Sequence, residues 1–228
     1  MKISNKLALK LWVLMSIFTV GDVFAQNTTP VAATAVVASC AQQNPQNFIQ
    51  GTVDQVLNIL QADAAEMTSN FPKIQQDIAN YLQPLIGIQV MSQFVVPGPL
   101  WSGASVSDQT AFQSAFFNYI VNTYSSAFQQ YSPQQQSIQV FPPRTWQCGQ
   151  TNNVQVNLLI VNKANSAGNI PISFILMPNA NSWLLIDFIV SNVDAISNIQ
   201  SQIQSMNAAT LAALTVAISN HNASPINN

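Results

Sequence analysis

Apolar positions follow one period in the first half of the chain and another in the second. From residue 45 to 131 they recur every three or four residues, as on a helix with one buried face. From 137 to 190 they alternate, as in half-buried strands. The first helix starts at an Asn44 cap with Pro45 in the first helical position. It presents Phe48, Val53, Val56, Leu57, Leu60 and Ala64 on one side before Phe71-Pro72 breaks it. A second helical stretch, 73–94, carries Ile74, Ile78, Leu82, Leu85 and Ile86, with Pro84 and Gly87 kinking or splitting it. Pro97-Gly98-Pro99 is a hard stop. Ser105-Val106-Ser107-Asp108 then resembles a capping box ahead of a long helix, 108–131. That helix sets Phe112, Phe116, Tyr119, Ile120, Thr123, Ala127 and Phe128 on one face, and ordinary core packing explains such an aromatic stripe by itself.

Strands follow. Residues 137–141 form the first, before an irregular loop holding Pro142, Pro143 and Cys148. Val154, Val156, Leu158 and Ile160 alternate with Gln155 and Asn157, and Ile170, Ile172, Phe174 and Leu176 repeat the pattern after a turn around 165–168. A turn at 178–182 leads to the last strand, 183–190. There, period two puts Ile186, Phe188 and Val190 on one face and Leu185, Asp187 and Ile189 on the other. The pattern predicts an α+β fold. A twisted antiparallel sheet of about four strands packs against a mostly helical N-terminal half and a C-terminal helical segment.

The segment 183–203, WLLIDFIVSNVDAISNIQSQI, joins that strand directly to a helix carrying Val193, Ile196, Ile199 and Ile203. It resembles the MlaC (toluene-tolerance) family of periplasmic phospholipid-binding proteins. There the run reads Trp, apolar, Asp, apolar, Glu-Gly-Val-Ser, then Asn-Tyr-Arg and an apolar helix. Trp183, Asp187, Val193 and Asn198 match, whereas Asn192 replaces the family's Gly and Asp194, Ile199 and Gln200 replace its Ser, Tyr and Arg. The Gly-to-Asn change is mild, because Asn is the next-best residue where a corner needs positive φ. WSGASVSDQ at 101–109 resembles the family's Trp-x-x-Ala-Ser/Thr-x-x-Gln element before a long aromatic helix. Leu82-Gln83-Pro84-Leu85 is similar to its Leu-Pro element, although the following Asp is Gly87 here and a family Arg is Gln93. The resemblance spans residues 44–218.

Composition narrows the function. Lys2, Lys6 and Lys10, the apolar run LWVLMSIFTV and Val23-Phe24-Ala25 make an export signal over residues 1–25, cleaved before Gln26. The apolar run is shorter than the roughly 20 residues that span a bilayer, which disfavours an uncleaved anchor. Val37-Ala38-Ser39-Cys40 looks like a lipoprotein box, but polar residues 26–30 separate it from the apolar core. The domain plan is then a leader at 26–43, a single α+β domain at 44–220 and a polar tail at 221–228. After the signal, Lys73, Arg144 and Lys163 stand against seven acids. Three cations cannot neutralise a phosphate backbone or grip an anionic membrane surface, so nucleic acid is excluded as a partner. The chain is 48% hydrophobic and 6% charged, with no second membrane-spanning run. That balance fits a large ordinary core and, secondly, a cavity for an apolar ligand. Composition alone favours the first.

Candidate chemistry is sparse. His221 is the single histidine and lies in the polar tail, no His/Cys cluster has metal spacing, and the glycines form no phosphate cradle. Asp54, Asp63, Glu66 and Asp77 read as solvated helix-surface acids. Asp187 is a lone acid between Ile186 and Phe188, so it needs hydrogen-bond partners or a shifted pKa. Structural bonding is its first reading, ahead of orienting a ligand or catalysis. Cys40 and Cys148 form an even pair in an exported chain, which suggests a disulfide, with two buried thiols as the alternative.

Three functions follow, in descending order of support: a lipid carrier, a binding or adaptor module for another hydrophobic ligand, and a hydrolase-like relative. The resemblance implies the first. It implies an apolar pocket between sheet and helices and exchange of phospholipid between an outer-membrane MlaA–porin complex and the MlaD ring of an inner-membrane ABC transporter. It also implies a monomer in the periplasm with no cofactor or metal besides the bound lipid. The expected pocket wall is Leu82, Leu85, Ile86, Phe94, Phe112, Phe116, Tyr119, Ile120, Val156, Leu158, Ile172, Phe174, Ile186, Phe188, Val190 and Ile196.

Overall fold

The computed structural model describes residues 44–62, 70–125, 127, 130–180 and 182–223. The helical half opens with α1 (Pro45–Ala62), where the Asn44 side chain accepts from the Gln46 N–H at 2.9 Å, as an Asn cap should. α2 (Phe71–Leu82) follows with proline in its first turn, then a 3₁₀ turn (Gln83–Leu85) and α3 (Ile88–Val95). Pro84 and Gly87 thus split the second stretch. Gly87 is pressed against the sheet, donating its N–H to Leu185 O at 2.8 Å, and a Cβ there would meet Ile186 at 2.9 Å. The proline stop gives way to a short helix, α4 (Gly98–Ser102). Ser105 caps α5 (Val106–Tyr124) by accepting from the Asp108 N–H, so the helix begins two residues before the expected start.

The strands are β1 (Gln136–Val140), β2 (Val154–Asn162), β3 (Ile170–Asn179), β4 (Ser182–Val190) and β5 (Val193–Asp194), antiparallel neighbours in sequence order. The fold is α+β, as the periodicity predicts, with five strands where about four are expected. The fifth comes from the Ser191-Asn192 corner, whose φ values of 49° and 68° make a two-residue hairpin of the type that turns with the strands' own twist. Val193 therefore pairs with Val190 and is 55% exposed, rather than starting the helical stripe. The helix α6 (Ala195–Ser205) begins after Asp194, which caps it through the Ser197 N–H at 2.7 Å. α7 (Leu211–Ala223) closes the described chain.

A second correction lies in β4. Ile175 faces Asp187 but Leu176 faces Leu185, so a bulge at Ile186 resets the alternation. Ile186 leaves the Phe188–Val190 row and is buried against Gly87, while Leu185 and Trp183 rejoin the face that carries Leu176.

The core is divided in three. One cluster lies among α3, α5, α6 and α7, around Met91, Phe112, Phe116, Ile199 and Leu214. A second lies between α1 and one sheet face, around Ile49, Val156, Leu176 and Trp183. A third joins α1 to α2 through Val56, Leu60, Ile74 and Ile78. Ile49, outside the expected α1 stripe, is one of its deepest residues. Ala127 of the expected aromatic stripe is exposed. Ala64, Phe128, Asp63, Glu66, the export signal, the leader and residues 224–228 lie outside the described residues.

Cys148 sits exposed in the loop between β1 and β2, and Cys40 lies outside the described residues, so their pairing stays an expectation. Non-reduced digests of exported protein should yield a joined Cys40–Cys148 peptide. The 108-residue separation would contribute up to about 4–5 kcal/mol in the chain-entropy model. Two alkylatable thiols in native protein would exclude the bond.

Candidate functional site

Strand register brings the expected residues of the sheet together. Val156 pairs with Phe174 and Phe174 with Phe188, making one apolar row across β2, β3 and β4. Leu158, Ile172 and Val190 make the next row. Both rows lie on the face that carries the α1-covered cluster. Val156 and Leu158 are buried there, whereas Ile172, Phe174, Phe188 and Val190 are only half-buried.

That difference is informative. β3 is the middle strand of the sheet, where a helix layer normally seals the inner face completely. Here α1 covers the end around Leu176 and Trp183, while at the other end Phe188 packs at the margin of the interhelical cluster and stays only partly buried. The half-buried wall continues through Ile138, Val140 and Ile160 on neighbouring strands. From the helical side, Tyr124 at the end of α5 meets Phe188 edge to face, with ring centroids 4.8 Å apart. Tyr124 is the residue that the helical stripe missed, although it lies one turn beyond Ile120. The α1 residues Phe48 and Val53 were legible from the stripe, and they pack on the sheet cluster.

The expected helical wall residues go elsewhere. Phe112, Phe116, Tyr119, Ile120 and Ile196 are buried in the interhelical cluster, with Phe112 stacked on Phe116 at 5.7 Å and edge-on to Trp101 at 6.3 Å. Ile86 packs at the margin of that cluster, and Leu82 joins the α1–α2 cluster. Leu85 is half-buried in the 3₁₀ turn. Phe94, near the end of α3, is 57% exposed, because its helix turns Met91 and Val95 inward instead.

The polar groups around this region are structural in form. Tyr119 donates its hydroxyl to Gln202 Oε1 at 2.7 Å, tying α5 to α6, and burial pushes its pKa up. Burial likewise raises the Tyr124 hydroxyl, with smaller contributions from Tyr119, Asp187 and Asp194. Asp187 accepts from the Phe188 N–H at 2.7 Å and from the backbone of Ile196 at the start of α6. Burial first, and the neighbouring Asp194 second, raise its pKa despite those bonds.

A carboxyl whose folded pKa exceeds its unfolded value favours folding while protonated, and loses that contribution as pH rises from the ordinary value through the raised one. Asp187→Asn keeps an acceptor oxygen for both N–H groups and removes the buried charge. We expect it to raise the melting temperature at pH 7 more than at pH 4. An equal effect at both values would show that Asp187 is as well solvated in the fold as in the unfolded chain.

Among the described residues no group of three or more His, Cys, Asp or Glu side chains is placed to hold a metal ion, and no helix is long and apolar enough to cross a membrane. The model of the MlaC protein family matches residues 50–218. The chain belongs to the MlaC family. Its fold is shared with a solved phospholipid-binding protein from Ralstonia solanacearum, determined in complex with a phospholipid. The TM-score is 0.68 at 19% identity, over 79% of this chain and 97% of that one. No curated protein sequence matches the chain.

Proposed function

We propose that this MlaC-family protein is a periplasmic phospholipid carrier that holds acyl chains against the half-buried rows of β2, β3 and β4. The observation that carries the reading is the incomplete burial of Ile172, Phe174, Phe188 and Val190 on the inner face of interior strands. Family membership and the ligand of the Ralstonia solanacearum protein support phospholipid as the occupant. The energetics agree. A buried methylene is worth about 0.8 kcal/mol, so exposing a chain of ~16 carbons to water costs on the order of 12 kcal/mol. A protein that moves lipid through water must replace that apolar contact. An unsealed apolar sheet face does so without metal or nucleotide.

In this reading the export signal at 1–25 delivers the chain to the periplasm. The carrier, a monomer without catalytic chemistry, shuttles lipid between an MlaA–porin complex at the outer membrane and MlaD of the inner-membrane ABC transporter. That traffic maintains outer-membrane lipid asymmetry. Support for these steps is the family's general role and the signal-like N-terminal sequence. Ile138, Val140 and Tyr124 join the proposed wall. Phe112, Phe116, Tyr119, Ile120 and Ile196 support it from within the helical core.

Native mass spectrometry of gently purified protein tests the reading. The expected spectrum contains a species heavier than the polypeptide by one or more phospholipid masses, released by organic extraction. A purely apo mass with no extractable lipid would favour an adaptor for another hydrophobic ligand. Turnover of lipid esters would point instead to an enzyme.

A further inference from the structure

Two tyrosines of α5 differ in one respect. Tyr119 donates its hydroxyl to Gln202 Oε1 at 2.7 Å, whereas the Tyr124 hydroxyl has no hydrogen-bond partner among the described residues. We propose that Tyr124 donates to an ester carbonyl of the bound phospholipid and so sets how deep the glycerol backbone lies between α5 and β4. This anchor presupposes the carrier reading above and narrows its ligand class to diacyl esters.

Tyr124 stands where the apolar wall gives way to polar groups. Its ring meets Phe188 edge to face at an interplanar angle of 80°, and so extends the row that runs from Phe188 through Phe174 to Val156. Its hydroxyl lies within the electrostatic reach of Asp187 and Asp194. Tyrosine suits such a boundary, with an apolar body and a polar tip that finds a partner when buried. A diacyl phospholipid changes character in the same order, from tails to neutral esters to charged head.

The surrounding groups select the acceptor. Asp187 takes the N–H groups of Phe188 and Ile196, and Asp194 takes that of Ser197, so both carboxylates are committed to β4 and the start of α6. Their negative charge repels a phosphate oxygen at the Tyr124 hydroxyl, whereas a neutral carbonyl oxygen escapes that penalty. Burial favours the protonated phenol, the form that can donate. Acyl chains packed along the Phe188 row exclude water from this hydroxyl, and a buried donor left without an acceptor is costly. The ester carbonyl supplies that acceptor. An ether oxygen in its place is a much weaker one.

The test is a competition between ester and ether lipid. Purified exported protein is equilibrated with vesicles holding equal amounts of dioleoyl phosphatidylglycerol and its dioleyl ether analogue, and native mass spectrometry counts each bound species. The ester-to-ether ratio in the parent should be about fivefold that in Tyr124→Phe, the factor one net hydrogen bond supplies. Tyr124→Phe keeps the ring against Phe188, so total lipid should stay near the parent level. Tyr124→Met also lacks the hydroxyl and serves if the first variant fails to fold by circular dichroism. Equal ratios in the parent and a folded variant, whether or not total lipid falls, overturn the anchor and leave the carrier reading standing. A parent that takes up neither lipid overturns both.

Discussion

Phe116→Ala is expected to lower stability by about 3–5 kcal/mol, and the melting temperature by on the order of 10 °C. Phe116 is fully buried in the cluster formed by α3, α5, α6 and α7, and its ring stacks on Phe112 at 5.7 Å. Removing it leaves a cavity walled by side chains that are themselves held by three other helices, so collapse is limited. Of the proposed wall residues, Phe188 and Tyr124 alone pack at the margin of this cluster, so truncation of Phe116 within it should leave the lipid carried per folded molecule largely unchanged. Chemical denaturation gives the first quantity and extraction of folded protein the second. A small stability loss with a large fall in lipid would place Phe116 in the ligand wall, as the aromatic stripe and the family resemblance together imply from sequence.

The contrast between Phe116 and Phe174 shows what the sequence can and cannot carry. Both belong to regular apolar patterns, and periodicity located the helix and the strand that hold them. Periodicity reports which face turns inward, but not whether a second layer meets that face. Phe116 faces three helices and Phe174 faces an incomplete cover, a difference created by contacts between distant segments. The β4 bulge is invisible for a related reason. WLLIDFIV contains no glycine or proline to mark it, and the register shift is set by pairing with β3 and by Gly87 pressing on Ile186. The Ser191-Asn192 corner was legible because positive φ selects for residues such as Asn. The strand beyond it was not, since two residues are too few to show a period. Phe94 illustrates the opposite error, an apolar residue on a short helix whose buried side is already filled by Met91 and Val95.

The face of the final strand that meets lipid can be tested at Phe188, which the bulge leaves in row with Phe174 and Val156. Phe188 is half-buried, with Tyr124 edge-on at a centroid distance of 4.8 Å. In Phe188→Trp the larger ring must occupy either space intended for acyl chains or space already filled by protein. If the helices stand off here, the added volume enters the open region, and delipidated protein should melt within about 1–2 °C of the parent. Lipid recovered per molecule should then fall, because the tails lose part of their wall to the indole. If the site is solid core, overpacking should cost roughly 1–3 kcal/mol and lower the melting temperature of the delipidated form. Unchanged lipid together with clear destabilisation would move the tails away from the Phe174–Phe188 row, and with them the proposed carrier surface.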